Sequence, residues 1–198
     1  MRNKKAKSIT VLILSLALVL TACGSKPAEG STENKAEETT EEDGGGQASK
    51  TVFGTFESKT LDGEDVSQDI FSKADLTRVN IWGTFCGPCI REMPELGELS
   101  REYADKGFQM VGIISDVSQP EDDTALEIVK KTEADYTHLV IPKDANMQYR
   151  ILKNAQVVPT TIFLDKDGNQ VGDTYPGAKS KKQWTAVIDE MLEKVQNE

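Results

Sequence analysis

Residues 79–94 of this 198-residue chain, VNIWGTFCGPCIREMP, carry the most specific structural pattern in the sequence. They open with the apolar run Val79–Trp82, which predicts a buried strand. Cys86 and Cys89 follow, and apolar residues then recur every three or four positions, at Ile90, Met93, Leu96, Leu99 and Tyr103. The pattern predicts a strand that leads through the cysteine pair into an amphipathic helix.

The rest of the chain alternates strand-like and helix-like patterns. The predicted elements are a strand at 108–115, a helix near 121–132, a strand near 138–141, a helix near 144–152, a hairpin with its second strand at 170–174, and a final helix. Ser180 and Gln183 have the spacing of a capping box at the start of that helix. We expect one α/β domain at 51–198, a mixed central sheet flanked by helices, with an inserted αβα segment.

The first 23 residues have the pattern of a lipoprotein export signal. Residues 1–22 combine a positively charged head with an apolar run at 11–20, which is shorter than the roughly 20 residues of a spanning helix. The sequence LTAC at 20–23 resembles a bacterial lipobox, in which Cys23 takes a lipid and becomes the new N-terminus. An ordinary secreted protein with an unmodified Cys23 is the alternative.

Residues 24–50 are predicted to form a disordered acidic tether. They hold seven acids, three lysines and no apolar residue larger than alanine, so that no core can form there. Calcium binding, the alternative for this segment, would need an alternating ligand spacing that it lacks. The formal net charge of the whole chain is -10, which disfavours nucleic acid as a partner.

Three kinds of chemistry use two cysteines separated by two residues. A structural zinc site needs four ligands, and besides this pair the chain has only Cys23 and one histidine, His138. A structural disulfide between Cys86 and Cys89 would close a very short loop and restrict the unfolded chain little. Thiol–disulfide exchange is the third possibility, and it is the one favoured by the neighbouring strand and helix.

Position along the predicted helix assigns a role to each cysteine. Cys86 precedes the helix, whose N-terminus lowers the pKa of a nearby thiol, whereas Cys89 lies one turn inside and is more sheltered. Cys86 is therefore predicted to attack and Cys89 to resolve the resulting mixed disulfide. Gly87 and Pro88 between them suit the first turn of a helix.

Two segments together resemble a known family: residues 79–94 and VVPTTIFLDKDG at 157–168. They are similar to the thioredoxin superfamily, specifically the membrane-tethered thiol–disulfide oxidoreductases related to TlpA and ResA. The resemblance covers most of 51–198, and FESKTLDGEDV at 56–66 corresponds to an N-terminal hairpin extension. It implies a thioredoxin fold, protein disulfides or dithiols as substrates, no cofactor and no metal. It also implies a membrane electron donor of the CcdA or DsbD type and a monomer, lipid-anchored to the cell membrane and facing outside the cytoplasm.

The resemblance implies further site residues. Pro159 corresponds to a cis-proline that packs against the cysteines, and the backbone of Val158 would pair with an extended substrate segment. Glu92 corresponds to an acid near the cysteines that could handle the proton of Cys89; a solvated acid in the first helical turn is the alternative. Pro94 corresponds to a helix kink.

Other positions depart from the superfamily pattern or support the site. Asn80 replaces a buried aspartate, and Phe85 replaces a tryptophan while keeping an apolar surface beside Cys86. Trp82, at the end of the predicted strand, is counted as a supporting residue. His138 would be a copper ligand in Sco-like proteins, but their cysteines are spaced by three residues, so that a histidine without metal is expected.

The leading functional prediction is an extracytoplasmic reductant of protein disulfides, because CGPC resembles the reducing members of the superfamily. Such relatives serve cytochrome c maturation or supply electrons to a methionine sulfoxide reductase. The alternatives are a disulfide-forming oxidant of the same fold, a peroxiredoxin-like enzyme and a lipoprotein module that only binds a partner. A peroxiredoxin would need a PxxxTxxC setting, which neither Cys86 nor Cys89 has.

Overall fold

The computed structural model describes residues 51–141 and 145–197. The predicted signal sequence, Cys23 and the acidic tether lie outside the described residues. Within the described part of the chain, no helix has the length and apolar character needed to cross a membrane.

The centre of the domain is a five-stranded mixed sheet. Its strands are β3 (Leu76–Trp82), β4 (Phe108–Ile114), β5 (Thr137–Val140), β6 (Thr160–Asp165) and β7 (Gln170–Pro176). Their order in the sheet is β5-β4-β3-β6-β7. Strands β3 to β5 run parallel, and β6 and β7 form an antiparallel hairpin against β3. The central strand β3 is buried along its whole length, as predicted for its second half at 79–82.

Helices cover both faces of this sheet, as predicted. Three of them, α1 (Gly87–Tyr103), α2 (Asp123–Thr132) and α4 (Lys181–Gln196), pack around one core cluster. The fourth, α3 (Ala145–Asn154), packs on the other face beside the aromatic residues of the N-terminal segment. The αβα insertion is α2, β5 and α3. The predicted capping box of α4 is present.

An antiparallel hairpin precedes the sheet, also as predicted. It consists of β1 (Glu57–Lys59) and β2 (Asp65–Ser67). An isolated antiparallel bridge from Thr60 to Leu139 joins the end of β1 to β5. The hairpin therefore extends the fold beyond the edge strand of the sheet.

One detail differs from the sequence-based prediction. The strand before the cysteines begins at Leu76 instead of Val79, and it includes Arg78 as a fully buried residue whose side chain has partners inside the core. Pro94 lies on the solvent-exposed side of α1, and the helix continues past it to Tyr103.

Candidate redox site

Cys86 and Cys89 form a disulfide at the N-terminus of α1, with an S–S distance of 2.03 Å. Cys86 is the N-cap residue, and its Sγ accepts a hydrogen bond from the backbone N–H of Cys89 at 3.2 Å. Cys86 is 5% exposed and Cys89 is fully buried. An incoming sulfur can therefore reach Cys86 but not Cys89, and the helix N-terminus favours the thiolate form of Cys86 when the pair is reduced.

The loop before β6 lies against the accessible cysteine. The Val158–Pro159 peptide bond is cis, as the resemblance implied. The carbonyl oxygen of Val158 lies 3.5 Å from Cys86 Sγ. Val158 is half-buried and Pro159 is buried. The structure thus brings Cys86, Val158 and Pro159 together, and it places the Val158 backbone beside the sulfur that would be attacked.

Two exposed apolar side chains are next in sequence to residues of this site, and we call them the apolar rim. They are Phe85, which precedes Cys86 and is 72% exposed, and Val157, which precedes Val158 and is 57% exposed. The apolar surface predicted at Phe85 is present.

The segment before the cysteines is held by a contact that the sequence did not suggest. The carboxylate of Asp116, just after β4, accepts hydrogen bonds from the backbone N–H and the hydroxyl of Thr84. Both residues lie near the surface. This contact fixes the loop between β3 and α1, and hence the position of Cys86 two residues later.

Glu92 lies on α1 three residues after Cys89, on the same side of the helix, and is 5% exposed. The predicted alternative of a solvated acid is therefore wrong. Its Oε2 accepts hydrogen bonds from the backbone N–H of Lys179 at 3.1 Å and the indole N–H of Trp184 at 3.2 Å. Burial raises the pKa of Glu92, and the charge of Arg78 and these two hydrogen bonds partly oppose that rise.

Arg78 is a site residue that the sequence analysis missed. Its Nη2 donates to Thr161 Oγ1 at 2.8 Å, and its Cζ lies 4.2 Å from the centre of the Trp184 ring. Burial lowers the pKa of Arg78 to about 10, against the attraction of Glu92, so that the guanidinium stays charged at neutral pH. A single arginine directly before the predicted strand at 79–82 was the signal that could have revealed it.

Asn80 and Tyr136 complete a polar group on this face of the sheet. Asn80 is fully buried, and its amide lies near the Tyr136 hydroxyl without the geometry of a good hydrogen bond. Among the described residues, the buried side-chain polar atoms without a hydrogen-bond partner all belong to four side chains, Arg78, Asn80, Glu92 and Tyr136. Such atoms are uncommon in proteins and are often found at functional sites.

Trp82 and His138 form a buried pair that adjoins this polar group, because the His138 ring packs on the Tyr136 ring with 4.4 Å between their centres. The indole N–H of Trp82 donates to His138 Nδ1 at 3.2 Å, so that the proton of the ring lies on Nε2, which donates to the Ala134 carbonyl oxygen at 2.8 Å. Burial lowers the pKa of His138 to about 4. Both ring nitrogens are used within the protein, which argues against the copper-ligand alternative. Trp82 belongs to the same buried core cluster as Cys86 and Cys89.

No group of three or more histidine, cysteine, aspartate or glutamate side chains arranged to hold a metal ion occurs in residues 51–141 and 145–197. A disulfide at a helix N-terminus, facing a cis-proline loop in a mixed sheet of this topology, defines a thioredoxin-fold protein. Residues 45–190 match the family model described as redoxin, which is most of the chain. The chain therefore belongs to the redoxin family.

Curated relatives give the activity. The chain is 31% identical to the thioredoxin-like protein YneN of Bacillus subtilis over 135 residues, which cover 68% of this chain and 75% of YneN. It is 32% identical to the thiol-disulfide oxidoreductase ResA of Bacillus thuringiensis over 120 residues, 59% of this chain and 61% of that protein. The site and these relatives identify the chain as a thiol–disulfide oxidoreductase.

Solved structures share the fold. StoA from Bacillus subtilis superposes with a TM-score of 0.53 at 20% identity, covering 69% of this chain and 97% of StoA. A thiol:disulfide interchange protein of the thioredoxin family from Chlorobium tepidum gives a TM-score of 0.57 at 23% identity, covering 70% and 93% of the two chains. The thioredoxin fold predicted for this domain is confirmed.

Proposed function

We propose that this oxidoreductase acts as a reductant of protein disulfides outside the cytoplasm. The observation that carries the proposal is the arrangement of the disulfide, with Cys86 slightly exposed beside the cis-proline loop and Cys89 enclosed behind it. Gly87 and Pro88 between the cysteines favour the reducing direction, by the resemblance of CGPC to reducing members of the superfamily.

The proposed reaction starts from the reduced pair. The Cys86 thiolate attacks one sulfur of a substrate disulfide, the substrate S–S bond breaks, and its other sulfur leaves as a thiolate. Cys89 then loses its proton and attacks Cys86, which forms the Cys86–Cys89 disulfide and releases the second substrate sulfur as a thiolate. Two electrons pass to the substrate, and the two substrate thiolates take up two protons, the one released by Cys89 and one from solvent.

Glu92 is the proposed proton acceptor for Cys89. A base is needed there because Cys89 is fully buried, out of contact with solvent. Glu92 lies three residues further along the same helix, is nearly as buried, and has one carboxylate oxygen without a partner among the described residues. Its raised pKa brings its titration closer to neutral pH, where proton exchange with a thiol is most effective.

The substrate chain is proposed to lie across the cis-proline loop. The backbone of Val158 would pair with an extended segment next to the substrate cysteine. The apolar rim would contact side chains flanking that cysteine, because Phe85 precedes Cys86, Val157 precedes Val158, and both side chains are exposed. The resemblance suggests apocytochrome c or a methionine sulfoxide reductase as clients.

The direction of electron flow is tested by the reduction potential of the pair. Equilibration with glutathione buffers should give a value nearer that of thioredoxin, about -270 mV, than that of the strong oxidant DsbA, about -120 mV. The wild-type protein should also catalyse insulin reduction by dithiothreitol, and Cys86→Ser should abolish this. A potential near that of DsbA would favour the disulfide-forming alternative and overturn the reductant proposal.

The location is proposed from the N-terminal sequence. Residues 1–22 would direct export, Cys23 would carry lipid, and 24–50 would hold the domain away from the membrane surface. Expression of the full chain in a bacterium with radiolabelled palmitate should label the wild type and leave Cys23→Ala unlabelled. Label retained by Cys23→Ala, or a wild-type protein found in the cytoplasmic fraction, would contradict the anchor.

The client and the electron donor can be found in one experiment. In the full-length Cys89→Ser variant the mixed disulfide cannot be resolved by the buried cysteine, so that substrates should stay attached to Cys86. Mass spectrometry of the trapped adducts would identify them, and Cys86→Ser/Cys89→Ser is the matched control. A membrane protein of the CcdA or DsbD type among the adducts would support the proposed donor.

A further inference from the structure

The polar group under α1 contains two ionisable side chains of opposite type. Arg78, on the central strand, and Glu92, on the helix that carries the cysteines, are both buried, and Arg78 is charged at neutral pH. A buried charge without a counter-ion costs several kcal/mol. The two residues interact electrostatically, each favouring the charged form of the other.

Trp184 connects the two side chains. The Arg78 guanidinium stacks on the face of its ring, with 4.2 Å from Cζ to the ring centre, while the ring N–H donates to Glu92 Oε2 at 3.2 Å. A cation on the face of an indole is attracted by the ring and withdraws electron density from it. The N–H of such an indole is a stronger donor, so that Arg78 strengthens the hydrogen bond that Glu92 receives.

Arg78 itself is held in place from two other sides. Its Nη2 donates to Thr161 on β6 and its Nη1 lies 3.6 Å from Met110 Sδ on β4. A guanidinium fixed on the sheet in this way presents a constant positive charge to the helix. The groups that face Glu92 are then Arg78 from β3, Trp184 from α4, the backbone N–H of Lys179, Glu95 on α1 itself and Tyr136 ahead of β5.

We propose that Arg78 is a positioning residue of the redox site, and that its guanidinium, acting through and across Trp184, holds Glu92 as a carboxylate ready to accept the Cys89 proton. This inference rests on the role given to Glu92 in the proposed function. Without the positive charge, Glu92 would keep its proton to higher pH, and Cys89 would lose its acceptor over that range.

The experiment follows the two steps of the reaction separately. Reduced full-length protein is mixed rapidly with 5,5'-dithiobis(2-nitrobenzoic acid). The first thionitrobenzoate is released when Cys86 attacks, and the second when Cys89 resolves the mixed disulfide. The rate of each phase is measured against pH for wild type, Arg78→Met, Arg78→Lys, Glu92→Gln and the double variant Arg78→Met/Glu92→Gln, with circular dichroism to confirm folding.

The expected result is confined to the second phase. In Arg78→Met its acid limb moves to higher pH, so that the phase is roughly 3- to 10-fold slower on that limb, while the first phase is unchanged. Arg78→Lys keeps the charge and stays closer to wild type. In the Glu92→Gln background, Arg78→Met has no further effect on the acid limb. If Arg78→Met does not fold, Trp184→Phe, which removes the indole N–H, is expected to move the limb in the same direction.

Three results would overturn the inference. The second phase of Arg78→Met could follow the wild-type pH profile, its shift could persist in the Glu92→Gln background, or Arg78→Lys could shift the limb as far as Arg78→Met. The role of Glu92 fails separately, when Glu92→Gln alone leaves the second phase unchanged. A slowed Glu92→Gln together with an unchanged Arg78→Met removes the role of Arg78 and keeps that of Glu92.

Discussion

Two buried titratable side chains of this domain, His138 and Glu92, each accept a hydrogen bond from an indole N–H at 3.2 Å. The two indoles, Trp82 and Trp184, belong to the same core cluster. His138 uses both ring nitrogens and is neutral, whereas Glu92 leaves one oxygen without a partner and lies beside a buried cation. A buried group whose hydrogen bonds are all made stabilises the fold, whereas a buried group with an oxygen left unpaired is available for chemistry.

The largest expected effect is the loss of folding stability when the pH is low enough to protonate His138. Its pKa is lowered to about 4, so that between about pH 6.5 and pH 4 the unfolded chain binds a proton that the folded chain does not. Stability due to neutral His138 is complete above about pH 6.5 and is lost as the pH falls to 4, by about 3 kcal/mol. Urea unfolding at pH 7 and pH 4.5 should show this loss in wild type and a smaller one in His138→Gln. Equal losses in the two proteins would argue against a structural role for the neutral ring.

A second test disturbs the same pair by steric pressure. A Cβ on Gly112 would lie 2.2 Å from His138 Nδ1, inside any allowed contact. Gly112→Ala should therefore displace the ring, weaken its hydrogen bond from Trp82 and reduce the free energy of unfolding by about 2 kcal/mol. Thermal unfolding would measure this. The rate of insulin reduction, measured at a temperature where the variant is folded, should stay near that of wild type. A large loss of activity there would contradict a purely structural role for the His138 region.

In the Glu92 region, Glu92→Gln should change the rate of the reaction more than the stability of the fold. We expect the resolution step by Cys89 to slow at least tenfold, equivalent to about 1.4 kcal/mol, because the amide cannot accept a proton. The attack by Cys86 should keep its rate. Stopped-flow measurement with a chromogenic disulfide separates the two steps, and an equal slowing of both would indicate general damage to the site.

The smallest expected effect is the stability of the same variant. The pKa of Glu92 is raised in the folded protein, mainly by burial. Ionisation of Glu92 therefore lowers the stability of the folded state. This loss is absent below the ordinary carboxyl pKa and is complete once the pH has risen above the pKa of Glu92 in the folded protein. Glu92→Gln should accordingly be slightly more stable than wild type at pH 8, and the difference should shrink as the pH falls. Urea unfolding across this range would check the sign, and a variant less stable than wild type at pH 8 would contradict it.

Much of this architecture was predictable from the sequence, and the exceptions have physical causes. The spacing of apolar residues located the strand before Cys86 and the helix after it, because each element buries apolar side chains at regular intervals along the chain. It did not predict the burial of Arg78, because its contacts with Thr161 and Trp184 join segments far apart in sequence. It left the burial of Glu92 open, because the residues that cover it come from the start of α4. Contacts between distant segments decide such positions.

Cys86 is proposed to attack and Cys89 to resolve. Mass spectrometry of the single-cysteine variants after reaction with a disulfide-containing peptide separates these two roles. We predict that Cys89→Ser accumulates a mixed disulfide on Cys86 within the reaction time, while Cys86→Ser forms almost none because Cys89 is fully buried. Rapid adduct formation on Cys89 in Cys86→Ser, with none on Cys86 in Cys89→Ser, would contradict the account.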